Sequence, residues 1–337
     1  MKAYPLKSTG KPDVLVPEDV EVPQVGATDV RVKIITIGVN YAEILSRRGQ
    51  YSWAPKKPYI PGMEAYGKVV EVGKKVTKHK PGDEVICGWQ YGSYAEEMVV
   101  PDYMAFPAFP EWNAEENAAF LVNYMTAWVA LVKLGRLRQS DIVLINAAAG
   151  GVGTAAVQIA KAHGCKVIGT ASKPEKLKLL EKLHVDHPIN YKKEDFAKKI
   201  RKEHGGVDVV LELVGGSVYR KSFDLLRPFG RMMIGGVASL RYNKWNPFSW
   251  YGALRTAPKV KLMEMAKKST VVGATHIGYL IDNPEVTAQC WEEVTYFMRK
   301  NKLKPIVGQT FSFNQLPHAH EFIESRKSMG KVVITMD

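Results

Sequence analysis

A short apolar run, Ile142-Val143-Leu144-Ile145, ends in a turn made almost wholly of small residues, Asn146-Ala147-Ala148-Ala149-Gly150-Gly151-Val152-Gly153. The turn opens into an apolar, helix-compatible segment, residues 154–162, and a second apolar run follows at 166–170. Strand, glycine turn, helix and strand in this order make a βαβ unit, which holds a dinucleotide pyrophosphate at a helix N-terminus. The glycines stand at 150, 151 and 153 rather than in the usual G-x-G-x-x-G spacing, so the flanking strand and helix carry the assignment. Gly150, Gly151, Val152 and Gly153 are the expected pyrophosphate contacts.

The tip of the second run selects the cofactor. An NAD site usually carries Asp or Glu about 20 residues beyond the first glycine, to bond the ribose hydroxyls. Here the chain continues Ala171-Ser172-Lys173-Pro174-Glu175-Lys176, with a hydroxyl and two lysines at the tip and no acid. A carboxylate repels a 2′-phosphate and an ammonium attracts it, so NADP(H) is the expected cofactor. Pro174 also suits the first turn of a solvated helix, and Glu175 lies close by.

The chain has 337 residues, enough for two domains with real cores. Cys87, Cys165 and Cys290 are far apart and form no C-x-x-C pair, so neither a disulfide framework nor a zinc ribbon is expected. The start, Met1-Lys2-Ala3-Tyr4-Pro5, has no apolar signal-peptide region, and no run of 18 apolar residues occurs. A reducing cytoplasm is the expected location, with peripheral membrane contact left open. The net charge of +13 is compatible with a phosphorylated cofactor, an anionic surface or nucleic acid. Much of it is scattered along 173–182 and 192–202, as on solvated helix faces, and no RNA- or DNA-binding motif is present. No nucleic-acid partner is expected.

Residues 30–35 alternate as a strand, 67–73 do so again, and Pro81-Gly82-Asp83-Glu84 reads as a turn before another. From about Val122 the texture changes to strands near 142–146, 166–170, 207–213 and 229–235, alternating with helices. That pattern predicts a parallel sheet covered by helices. The end, Lys331-Val332-Val333-Ile334-Thr335, is strand-like again. The expected organisation is an α/β chain in which a β-rich domain, 1–122 completed by 276–337, is interrupted by a Rossmann domain, 123–275.

Several further motifs share the order of a known family. They are Gly38-Val39-Asn40-Tyr41, Arg48-Gly49-Gln50-Tyr51, Pro61-Gly62-Met63-Glu64, Pro81-Gly82-Asp83, the 147–153 turn, Ile189-Asn190-Tyr191 and His320-Glu321-Phe322-Ile323-Glu324-Ser325-Arg326. Together they resemble the medium-chain dehydrogenase/reductase superfamily, in its zinc-independent quinone oxidoreductase (zeta-crystallin-like) branch. Residues 121–127 and 276–280 further resemble that branch's vesicle amine transport protein group. The resemblance implies a GroES-like fold for the β-rich domain and a homodimer, for which 269–275 is a plausible pairing edge. It implies that Asn40 and Tyr51 line the nicotinamide and substrate cleft and that Thr126 lies beside the nicotinamide or its ribose. It places Ser172, Lys176 and Tyr191 around the 2′-phosphate, and Gly235 and Gly236 at the cofactor edge. The backbone at His276 and Gly278 would reach the carboxamide, and Gly330 or Lys331 would close the site.

Zinc-dependent relatives have a cysteine at or beside the position of Asn40 and a His-Glu pair where this chain has Met63-Glu64. A thioether is a poor replacement for imidazole on zinc, and His318 and His320 read as polar residues on a C-terminal helix, so no metal is expected. Quinones and carbonyl-activated alkenes accept hydride without a Lewis acid, whereas alcohol–ketone exchange needs a stabilised alkoxide. The expected activity is therefore NADPH-dependent reduction of a quinone, enone or enal, with Asn40 and Tyr51 as catalytic candidates. Asn40 also suits a turn cap, and Tyr51 suits a half-buried aromatic. Two alternatives stay open: an enoyl-thioester reductase, and a lipid-binding or membrane-recruited protein that keeps NADPH as a structural ligand. The second draws on 241–268, where Tyr242, Trp245, Phe248, Trp250 and Tyr251 interleave with seven basic residues and one acid, Glu264. Such a segment suits an anionic membrane interface, a lid over the cleft or a subunit contact.

Overall fold

A computed structural model of the chain describes residues 1–236 and 260–336. The chain divides into two compact units, Met1–Asn123 with Ile277–Asp337, and Tyr124–His276. The aromatic residues of 241–268, with Arg241, Lys244, Arg255 and Lys259, lie outside the described residues. The end of that segment is described: Lys261 pairs with Glu264 at 2.8 Å, and Lys268 Nζ donates to the carbonyls of Asp224 and Leu226 at 3.0 and 2.9 Å. Lys268 thus ties the end of that segment to the backbone at 224–226.

The first unit is built on a seven-stranded sheet. Its long central strand, Asp29–Val39, alternates between buried and accessible positions and then becomes buried throughout its last four residues. It pairs antiparallel with Glu64–Val72, with Glu97–Pro101 and with the C-terminal strand Lys331–Thr335. Val307–Ser312 adds to the C-terminal strand in parallel, with a register shift between Val307 and Gln309. The 17-residue helix Pro284–Lys300 packs through Trp291, whose ring stacks on Phe106 at 4.1 Å and meets Phe120 edge-on at 5.3 Å. These aromatic contacts anchor the returning C-terminal segment in the core of the N-terminal part.

The second unit has a six-stranded, wholly parallel sheet. In spatial order the strands are His187–Asn190, Lys166–Ala171, Ile142–Ile145, Val207–Glu212, Leu226–Ile234 and Val271–Ala274. The chain therefore starts in the middle, runs to one edge and returns to build the other, which is the doubly wound order. Val143, Leu144, Ile145, Val209, Val210 and Leu211 are fully buried, as expected for strands covered on both faces. The strand expected at 229–235 occupies Leu226–Ile234, so Gly235 lies just past its end. The strand His187–Asn190 is hidden from periodicity reading by Pro188, which is tolerated because the strand is an edge.

A Cβ at Gly308 would lie 1.5 Å from the carbonyl oxygen of Met329. That oxygen is backbone and cannot yield without parting the two C-terminal strands. Gly308→Ala is expected to cost about 1–3 kcal/mol or more through overpacking, read as a fall in the thermal unfolding midpoint. A variant that melts with the wild type would show that this strand pairing is looser than described.

Candidate functional site

The carboxyl ends of a parallel sheet, at the point where strand order reverses, form the crevice in which such folds bind ligands. Here that point lies between Ile142–Ile145 and Val207–Glu212. A buried polar network fixes it. Asn146 Nδ2 donates to Glu212 at 2.7 Å and to Ser222 Oγ at 2.9 Å, while its Oδ1 accepts from Thr170 Oγ1 at 3.1 Å. Glu212 Oε1 accepts from the backbone N–H groups of Val214 and Gly215. Burial raises the Glu212 carboxyl, and these donors oppose the rise. The network ties three neighbouring strand ends together, and pattern reading of the sequence misses it.

Above it the turn fits an anionic diphosphate. Gly150 caps the helix Gly151–Ala162 in extended geometry without a side-chain bond, so the first-turn N–H groups of Gly151, Val152 and Gly153 lack helical acceptors. Those N–H groups and the helix dipole present partial positive charge to an anion. A Cβ at Gly153 would stand 2.4 Å from the carbonyl oxygen of Ala147, which is why the turn closes only with glycine there.

The structure brings the phosphate-end candidates together. Ala148 N donates to Thr170 O at 3.1 Å, linking the glycine turn to the strand Lys166–Ala171, which ends directly before Ser172. Tyr191 N donates to Ala171 O at 3.1 Å, which sets Tyr191 beside Ser172, with its side chain accessible. Lys176 sits on the first turn of the helix Pro174–Lys182. Gly235 N donates to Glu212 O and Thr275 N to Ile234 O, both at 2.9 Å, so Gly235, Gly236 and His276 gather near the same strand ends. His276 is held below the usual imidazole range by burial. Thr126 is buried on the helix Leu121–Trp128. Gly278 belongs to the first unit, in the short helical turn Ile277–Leu280.

In the first unit, Asn40 is the N-cap of the helix Tyr41–Arg47. Three residues on, Glu43 accepts from the Asn40 backbone N–H, the reciprocal bond of a capping box. Lys331, 2% exposed, donates to Asn40 Oδ1 at 2.6 Å and forms an ion pair with Glu64, which is 1% exposed at its side chain. Glu64 also accepts from Asn40 Nδ2 at 3.0 Å and from Val122 N at 2.8 Å. The Asn40 amide is thus engaged at both ends, and Lys331 is a buried strut. Both positions hold the cap of this helix in place.

A directional chain approaches Glu43 from the other side. Arg47 Nε donates to His320 Nδ1 at 3.3 Å, His320 Nε2 lies 2.9 Å from Tyr94 Oη, and Tyr94 Oη donates to Glu43 at 3.0 Å. An arginine is always a donor, so it assigns the hydrogen of neutral His320 to Nε2 and turns the Tyr94 hydroxyl toward Glu43. Burial, then the Arg47 charge, push His320 down to about 3, so it is neutral in this arrangement. Arg47 is in turn paired with Glu324. His320, on the C-terminal helix Leu316–Glu324, is therefore a fully buried linker. The sequence carries a signal for Glu43 in the Asn40-x-x-Glu43 spacing, but His320 and Tyr94 meet it only through the fold.

Tyr51 contacts Trp53 edge-on at 6.4 Å, and Trp53 meets Tyr279 at 6.0 Å. Burial, then the charges of Glu43 and Tyr279, raise the Tyr51 phenol well above its ordinary value. It remains a hydrogen-bond donor at neutral pH and is a weaker acid than an exposed phenol.

Burial pushes the Glu43 carboxyl up to about 7, against its donors and the charge of Lys331. A carboxyl raised in the folded state stabilises the protein fully below its ordinary range, and that contribution is lost as pH rises through about 7. The slope between about pH 4.5 and 7 approaches 1.4 kcal/mol per pH unit for one such group. Glu43→Gln is expected to remove this component, measured as the difference between the two proteins in urea unfolding across that range. Parallel stability profiles would contradict the assignment.

Two family models match the chain: the alcohol dehydrogenase GroES-like domain over residues 26–110, and the zinc-binding dehydrogenase domain over residues 151–276. The synaptic vesicle membrane protein VAT-1 homolog of Danio rerio is 34% identical over 322 residues, covering 94% of this chain and 66% of that protein. The chain thus spans about two thirds of that relative's length. The quinone oxidoreductase of Rattus norvegicus is 31% identical over 341 residues, covering 100% of this chain and 98% of that protein. The solved structure of Escherichia coli quinone oxidoreductase complexed with NADPH superposes with a TM-score of 0.88 at 26% identity, over 99% of this chain and 100% of that one. These matches run through both units of the fold, and the chain belongs to the medium-chain dehydrogenase/reductase superfamily, in its quinone oxidoreductase-like, VAT-1 group.

Proposed function

We propose that the chain is an NADP(H)-dependent oxidoreductase that delivers hydride to quinones or carbonyl-activated alkenes without zinc. The observation that carries the zinc-free reading is the Lys331–Glu64 ion pair. At the positions where zinc-dependent relatives hold the metal, this chain has an amide, a thioether and a carboxylate already neutralised by a buried ammonium. A divalent cation there would meet the Lys331 charge and a poor ligand set.

Bound NADPH would supply the hydride. The first-turn N–H groups at 151–153 would hold the diphosphate, and Ser172, Lys176 and Tyr191 would receive the 2′-phosphate. Asn40, fixed by Glu43, Glu64 and Lys331, keeps the start of the Tyr41–Arg47 helix in place. Tyr51 would donate a hydrogen bond to the acceptor's carbonyl oxygen, and Trp53 and Tyr279 would offer ring faces to a planar acceptor. The proton that completes the reduction comes from water. We further propose a homodimer paired through the edge strand Val271–Ala274, where Val271 and neighbouring Phe229 are 51% and 76% exposed. Among the described residues no helix is long and apolar enough to cross a membrane.

Affinity for NADPH and NADH, measured by nicotinamide fluorescence, tests the cofactor site. At least tenfold preference for NADPH is expected, about 1.4 kcal/mol, and Ser172→Asp should reverse it by placing a carboxylate against the 2′-phosphate. Preference for NADH in the wild type would overturn the phosphate site. Cofactor oxidation by chelator-treated protein with a naphthoquinone, a 2-alkenal and an enoyl thioester tests the reaction. Turnover of the thioester alone would favour an enoyl-thioester reductase, and turnover of none would overturn the reductase reading.

A further inference from the structure

A second cluster lies apart from the nucleotide crevice. His187 opens the edge strand His187–Asn190, so it sits at the amino-terminal rim of the parallel sheet, whereas the glycine turn follows a strand's carboxyl end. Glu203 and His204 are the last two residues of the helix Phe196–His204, which ends at Gly205 in left-handed geometry, φ 72°. Phe196 and Ile200 bury that helix in the same core cluster as Ile189, bringing its end against the start of the strand. The two imidazole rings lie 4.3 Å apart, centroid to centroid, at 64°. Glu203 Oε2 is 4.0 Å from His204 Nε2. One ligand atom from each of the three residues lies within 4.8 Å of the others.

His204 supplies an independent sign that the cluster is built for a ligand. Its side chain is only 7% exposed, and its Nε2 is buried with no hydrogen-bond partner among the described residues. A buried polar atom left alone is costly and calls for an explanation. Burial, then the neighbouring His187, favours the neutral ring, the form that ligates metals.

We propose that His187, Glu203 and His204 bind a borderline divalent transition metal, Zn2+ by preference, through two imidazole nitrogens and one carboxylate oxygen, with water at a fourth position. Two imidazoles and a carboxylate are an established zinc donor set. Tetrahedral zinc with bonds of about 2.1 Å places ligand atoms roughly 3.4 Å apart, so the set must contract. Glu203, 40% exposed at its side chain, is free to swing inward. The helix C-terminus adds negative potential. Lys166 and Arg227 also face His204 and oppose a cation, although Arg227 is shared with Asp208 at 3.4 Å and with the His204 carbonyl. The bound metal would clip the edge strand to the end of the following helix and stabilise the native state by mass action. It takes no part in hydride transfer.

The test is calorimetric titration of Zn2+ into tag-free, chelator-stripped full-length protein, with Co2+ absorption reporting the coordination. One equivalent should bind, with a raised melting temperature. Glu203→Gln and His187→Asn should each weaken binding at least tenfold while leaving NADPH fluorescence titrations unchanged, which reports an intact second unit. Absence of one-equivalent binding, or wild-type affinity in either variant, would overturn the proposal.

Discussion

The buried contact of Lys331 with Glu64 and Asn40 is the interaction on which the first unit is arranged. A buried ammonium or carboxylate is tolerated only when its partner and its remaining hydrogen bonds are all in place. Here they come from four distant segments: the C-terminal strand, the Glu64–Val72 strand, the cap of the Tyr41–Arg47 helix and the backbone of Val122. The charge pair therefore specifies how the end of the chain returns to its beginning. It also sets Asn40, and through Asn40 the start of the helix that precedes Tyr51. The Arg47–His320–Tyr94–Glu43 chain does the same from the opposite side, with the direction of every hydrogen bond following from arginine's inability to accept.

The second unit depends on a different principle. Its nucleotide crevice is made of backbone, and side chains serve mainly to keep strand ends in register. Asn146 and Glu212 hold three strands with one buried network, and the helix beginning at Gly151 then presents its N–H groups to whatever anion lies above. This division explains how one fold supports varied chemistry. The nucleotide end is a fixed geometric fitting, whereas Asn40 and Glu64 are set by side-chain contacts with the buried Lys331.

Local chemistry was legible in the sequence, and distant pairing was not. The run Ile142–Ile145, the glycine turn and its helix stand where composition and periodicity place them, because each is fixed by neighbours in the chain. The strand Lys331–Thr335 coincides with the expected one for the same reason. The edge strand at His187 escaped notice because Pro188 argues against a strand unless its edge position is known. His320 read only as a polar residue on a C-terminal helix, since the groups that give it a role, Arg47 and Tyr94, lie more than 200 positions away. His187 and His204 likewise meet only when strand and helix pack together. The aromatic residues of 241–268 lie outside the described residues, and their role rests on composition alone.

Native-state hydrogen exchange of the amides in Lys331–Thr335, in the wild type, in Lys331→Met and in Lys331→Met with Glu64→Gln, measures how far the buried charge pair holds the C-terminal strand. Lys331→Met is expected to leave an uncompensated buried carboxylate and to lower protection by about 3–5 kcal/mol, up to the limit set by global stability. The double variant, which removes both charges and keeps an acceptor for Val122 N, should recover most of that loss. Wild-type protection in the single variant, or a double variant as weak as the single, would contradict the claim that this charge pair organises the unit.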